Sequence, residues 1–239
     1  MPKIHLSRSV LTCAVAVSTA AVLTGCSGNE SPPALKFGTA KASGARLDDQ
    51  PPQGSSLPVA QWPDACKVLG DEEVRAILPQ AEDFAREPIK VTIINFNPLQ
   101  DADPGTTGDV PKGGCETKFG LPAKYDSEHN SSIKIVFKTI ADPALVTKAY
   151  TEDRDDEAKD AGKGTDAFRD LGNSLGAPGC YTQDRTHELV CHQGPYEFEV
   201  SGLSTADGVG KYPQAEKNWR DKVLTEVVRT LSARMAGQS

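Results

Sequence analysis

The stretch CYTQDRTHELVCHQGPYEFEVS, residues 180–201, decides the fold. Three short runs within it, 180–183, 188–192 and 196–201, read as a meander of antiparallel strands. Asp184-Arg185-Thr186-His187 forms the turn between the first two. Cys180 and Cys191 then fall on neighbouring strands across that turn, which brings their Cβ atoms into bonding range.

Upstream, 132–140 alternates in the same way, with Ile133, Ile135 and Phe137 set against Lys134, Val136 and Lys138. Further strands are expected over 89–96, which is rich in β-branched residues, and over 115–119. Residues 97–114 read as a loop and 162–179 as a glycine-rich connection. Asp142-Pro143 opens a helix with proline in its first turn and Leu145, Val146, Ala149 and Tyr150 on one side. The charged run that follows (EDRDDEAKD) reads as a solvated face.

Helices bracket the strands. Near the start, Asp71 suits an N-cap, Glu72 and Glu73 suit the positive helix end, and Val74, Ile77 and Leu78 make an apolar face that Pro79 stops. The last element, over 213–236, is the clearest helix. Trp219, Val223, Val227 and Leu231 step by four, with Leu224, Val228 and Met235 beside them. Arg229 and Arg234 lie near its C-terminal end, which the helix dipole favours. The expected fold is α+β: an antiparallel sheet with N-terminal and C-terminal helices packed on one face, and two disulfides.

The N-terminus carries a different signal. Residues 1–9 are short and basic, 10–23 (VLTCAVAVSTAAVL) are apolar and small, and Leu23-Thr24-Gly25-Cys26 follows. This is the pattern of a lipoprotein signal peptide over 1–25, too short for an ordinary membrane-spanning helix, with Cys26 as the lipid attachment point. Residues 26–60, rich in Pro, Gly, Ser and Asp, read as the lipidated cysteine and a disordered tether, and 61–239 as one extracellular domain. The whole chain carries a net charge of −7, and the leader holds only the cations Lys3 and Arg8. An exported domain this acidic is a poor partner for nucleic acid and for adsorption to anionic lipid headgroups.

Of six cysteines, Cys13 leaves with the leader and Cys26 is acylated. Cys66, Cys115, Cys180 and Cys191 remain in an oxidising compartment, where three pairings are possible. The adjacent-strand argument favours Cys180–Cys191. Cys66–Cys115 then pins the first helix to the second strand.

No catalytic constellation stands out. Gly172-Asn173-Ser174-Leu175-Gly176 has the spacing of a nucleophile elbow, but charged residues precede it and Pro178-Gly179 forbids the helix that should follow. His129 sits in a polar loop, and His187 and His192 would point to opposite faces of a strand. The acidic loop 101–105 lacks a calcium spacing, because Lys112 stands where a bidentate Glu belongs. Neither a metal nor a cofactor is expected.

The arrangement resembles a family of actinobacterial lipoproteins of unknown function, and is distantly similar to the extracellular sensor domain of mycobacterial receptor kinase H. The resemblance runs over about 62–236. It rests on the Leu23-Thr24-Gly25-Cys26 box and the low-complexity segment after it, on Asp64-Ala65-Cys66 with Val68-Leu69, and on Asp71-Glu72-Glu73-Val74. Gly114-Cys115-Glu116, with Thr117 where many members carry Trp, then Leu171-Gly172, the late strands and the final helix complete it. It implies an antiparallel sheet with packed helices and an open cleft, and ligand binding in the cell envelope. It defines no functional residue beyond the cysteines.

The expectation is therefore a lipid-anchored module on the outer face of the cytoplasmic membrane, joined to the bilayer through Cys26. It would bind or sense a small molecule, a lipid, a cell-wall fragment or an envelope protein without catalysis. The alternatives are a hydrolase built on Ser174 with His187 or His192, and a structural partner in an envelope assembly.

Overall fold

The computed structural model describes residues 34–93, 108–124, 128–161, 168–183 and 187–235. The segment 1–25 expected to be a leader, Cys26, the loop 101–105, strand residues 94–96 and the turn residues 184–186 lie outside the described residues. Strands β1 (Glu82–Ile93), β2 (Gly108–Gly120) and β3 (Ser131–Ile140) form one antiparallel meander. Helix α2 (Pro143–Asp160) then carries the chain to the far edge. There β4 (Phe168–Gly172), β5 (Gly179–Gln183), β6 (Glu188–Gln193) and β7 (Tyr196–Ser201) return as a second meander that closes on β3. The seven strands are ordered β1-β2-β3-β7-β6-β5-β4.

Period-two alternation sorts the side chains onto two faces. Phe137, Phe198, Cys191 and Cys180 form a row across β3, β7, β6 and β5, each opposite the next. With Ile133, Ile135, Leu189 and Val200 they build the main core. Helix α1 (Asp71–Ile77) covers this face through Val74 and Ile77. The C-terminal helix covers it as α3 (Gln214–Trp219), a π-helical turn (Arg220–Leu224) and α4 (Thr225–Met235). Every member of the Trp219–Met235 apolar stripe is buried here. A step of four residues drifts around a 3.6-residue helix, and the wide turn at 220–224 absorbs part of the drift. Helix α2 lies on the opposite face: Tyr150 packs with Tyr181 and Val190, which point away from the main core. Asp142 caps α2, its carboxylate accepting from Ala144 N at 2.8 Å and Gly54 N at 2.9 Å.

Both expected disulfides are present. Cys180 and Cys191 are direct cross-strand partners with Cα atoms 4.1 Å apart. Cys66, in a 3₁₀ turn (Ala65–Lys67), reaches Cys115 of β2 with a Cα separation of 5.0 Å.

Several local expectations change. The N-cap of α1 is Gly70, not Asp71, and Glu73 reaches back to accept from Gly70 N at 2.8 Å. The strand expected over 89–96 begins at Glu82, and β2 begins at Gly108 inside the segment read as a loop. Residues 162–179 contain β4, an edge strand with no fully buried residue on either face and so without clear alternation.

The largest change concerns the tether. Residues 34–57 do not form a free disordered segment; they run as an extended strap over α1 and α4 and then past the end of β3. Leu35, Phe37 and Leu47 pack on the core and Leu57 is buried. Gly38 N donates to Ile77 O (2.8 Å), Ala40 N to Glu226 Oε2 (2.7 Å), Leu47 N to Arg234 O (3.1 Å) and Leu57 N to Ile140 O (2.8 Å). Ser43 N and Gly44 N both donate to Glu73 Oε1 at 3.0 Å. These partners are side chains and the end carbonyls of helices and of β3 rather than a continuous strand ladder, so no periodicity marks the strap in sequence. Arg234 is likewise not a solvated dipole partner. It is buried, 3.1 Å from Glu73 Oε2, and it donates to Ala45 O (2.7 Å) and to Val68 O.

Candidate functional site

A concavity among the described residues lies at one end of the sheet, where β7 runs out and β6 begins. It is an open cleft of about 250 Å³ lined by Glu116, Ser132, Lys134, His187, Glu188 and Glu216, with the Ser201–Leu203 segment along one side. Strand register builds its floor. Glu116 of β2 is opposite Lys134 of β3, which is opposite Ser201 of β7, so three polar side chains from three strands align on the face turned away from the main core. Gly202, at φ +138°, lets the chain leave β7 in close contact with β3, where a Cβ would sit 2.3 Å from Ser132 O.

The wall comes from α3. Glu216 Oε2 lies 2.9 Å from His187 Nε2, which fixes the imidazole over the cleft. Lys118 holds Glu116 from the side at 3.7 Å and pairs with Glu87 at 2.7 Å. Beside the floor, on the same face of β7 as Ser201, burial pushes the Glu199 carboxyl above its ordinary range and Glu188 adds to the effect, against Lys134, Lys138 and a Ser201 hydrogen bond. Three carboxylates against one lysine and one histidine leave the lining acidic. Such a surface accepts hydrogen bonds from amines and hydroxyls and offers the Lys134 ammonium to one acidic or carbonyl group.

A second polar group lies buried between α2 and the sheet. His192 packs against Tyr150 with ring centroids 4.4 Å apart and the rings tilted by 38°, and Tyr150 meets Tyr181 at 5.6 Å. Glu197, opposite His192 on β7, lies 3.4 Å from Lys138, which also pairs with Asp153 of α2 at 2.7 Å. Burial raises the Glu197 carboxyl, and Lys138 only partly opposes this. Burial, then Arg154, depress the His192 imidazole. Burial also works against the Lys138 ammonium, yet Glu197 and Asp153 hold it above its ordinary value. These groups fasten α2 to the sheet.

The residues singled out from sequence separate in space. Ser174 is exposed in the β4–β5 turn, and its flanking Leu175 and Ala177 sink into the main core. His192 is on the other face against Tyr150, and His187 stands at the opposite end of β6. The glycine motif joins two antiparallel strands, not a strand and a helix, so the elbow geometry is absent. His129 Nε2 bonds to the Asp83 carbonyl at 2.9 Å. Of these residues only His187 reaches the cleft. Its other lining residues went unnoticed in sequence because register between distant segments assembles them; the one available signal was the Lys134/Glu116 placement on solvent-side strand positions. Among the described residues no three of His, Cys, Asp and Glu converge where a metal ion could sit, and no helix is long and apolar enough to cross a membrane. No protein family, no curated protein and no solved structure matches the chain.

Proposed function

We propose that this chain is a lipoprotein of the cell envelope, held on the outer face of the cytoplasmic membrane by acylated Cys26, and that the polar cleft is a non-catalytic binding or sensing site. The Leu23-Thr24-Gly25-Cys26 box and the resemblance to actinobacterial lipoproteins support the address. The observation that carries the binding reading is the cleft lining, with Glu116, Lys134, Glu188, His187 and Glu216 converging from four elements on one open space. The lining favours a polar ligand that bears an amine or several hydroxyls, as a cell-wall fragment does.

The test is thermal unfolding of the purified protein with soluble cell-wall digests and with envelope lipids. A ligand at a hundredfold excess over its Kd raises Tm by about 5–10 °C for a domain of this size. The shift should appear with the polar digest and vanish in a Glu116→Gln, Lys134→Met double variant. Equal shifts in both proteins would move the binding site elsewhere. A serine-reactive fluorophosphonate probe separates the hydrolase alternative. No serine is expected to be labelled in the folded protein, because no serine is hydrogen-bonded to an imidazole among the described residues.

A further inference from the structure

We infer that the protein lies against the bilayer through the β7–α3 loop, residues 202–213, so that the membrane is a docking surface as well as an anchoring point. The inference rests on the lipid-anchor reading of Cys26. Leu35 packs on the core, so at most nine residues of chain link Cys26 to the folded domain. Even fully stretched, that segment spans at most about 30 Å. The strap also enters the fold at a defined place. Leu35 lies so close to Gly208 that a Cβ there would sit 2.4 Å from the Leu35 Cβ, and Lys36 N donates to Gln80 Oε1 at 2.7 Å. The lipid is thus tied to the end of the sheet that carries the 202–213 loop, and not to the opposite end, where Leu57 meets Ile140.

That loop has the side chains a bilayer interface selects. Tyr212 is 81% exposed and Leu203 is 55% exposed, and these are two of the three large apolar side chains exposed among the described residues. Tyrosine settles at the headgroup level, with its ring among acyl carbons and its hydroxyl in water. Lys211 adjoins Tyr212, Lys36 adjoins Leu35, and Lys222 lies with its ammonium 4.9 Å from the Phe37 ring. Three lysines around the entry point of the strap suit headgroup phosphates, although the protein as a whole is acidic. The acids of this loop end and of α3 are engaged: Asp207 accepts from Lys124 N, and Glu216 meets His187. Leu203 also borders the polar cleft, so the cleft opens at the level of the bilayer surface.

The test is amide hydrogen exchange on the full mature chain, extracted from membranes and reconstituted into phosphatidylglycerol–phosphatidylcholine vesicles, compared with the same chain in detergent micelles. Mass spectrometry of each sample reports acylation of Cys26. The expected result is acylated protein in which amides of 203–212 exchange about threefold or more slowly on vesicles, while those of the remote β4–β5 turn do not change. A Leu203→Ser, Tyr212→Ser variant, altered only at exposed positions, should stay vesicle-bound and lose the protection. Acylated, vesicle-bound protein with unchanged exchange at 203–212 overturns the docked face and leaves the anchor standing. An unmodified Cys26 overturns the anchor, and the docked face with it.

Discussion

Arg234 sits in the last turns of α4 with its guanidinium divided among the Glu73 carboxylate, the Ala45 carbonyl and the Val68 carbonyl. Both charges of the pair are buried. Removing one partner of such a pair strands the other charge, which costs about 3–5 kcal/mol. Arg234→Ala should therefore lower stability by about that amount in urea unfolding, with α1 and the strap loosening together. A loss below about 1 kcal/mol would show that the charges are solvated in practice. His192 makes a different prediction. Its folded pKa is depressed, so the unfolded chain takes up a proton first, and stability present above about pH 6.5 is lost as pH falls through that value, by at most about 1.4 kcal/mol per pH unit. Glu197 has the opposite sign. Its raised folded pKa contributes stability at low pH that is lost as pH rises above the ordinary carboxyl range. Subtracting the pH–stability profile of His192→Phe from that of the native protein isolates the histidine. A flat difference between pH 5 and 7 would refute its role.

At the scale of elements, the strap and the disulfides dominate. Gly38 approaches α1 so closely that a Cβ would lie 2.0 Å from the Ala76 carbonyl oxygen. Gly38→Val should lift the strap without unfolding the sheet, visible as new tryptic cleavage at Lys41 or Arg46 while the disulfide-bonded remainder stays intact. Uncut strap in that variant would mean the contact adapts. On the loop-entropy model, the 11-residue separation of Cys180 and Cys191 contributes about 3 kcal/mol, and the 49-residue separation of Cys66 and Cys115 about 4. Paired Cys→Ala replacement should rank the two bridges in that order by denaturation midpoint. The reverse order would mean that residual structure in the unfolded chain outweighs loop closure. The C-terminal helix was legible in sequence because its period repeats against one buried face, and the meander over 180–201 because short β-rich runs alternate there with turn residues. Strand β4 and the strap were not, because an edge strand and an extended chain on helices have no such constraint.

For the whole molecule, the amino-acid sequence alone determined the α+β class, the antiparallel pairing around Cys180 and Cys191, and the apolar stripe from Trp219 to Met235. Side-chain period and covalent reach are local quantities, and a chain carries them wherever it goes. Only the tertiary structure decided that residues 34–57 bind the domain, that α2 takes the opposite face from α1 and α4, that Arg234 is buried, and that Glu116, Lys134 and Ser201 share the floor of one cleft. Each of these depends on the register and docking of segments far apart in the chain. Many weak contacts set that docking jointly, and no single stretch of residues contains it.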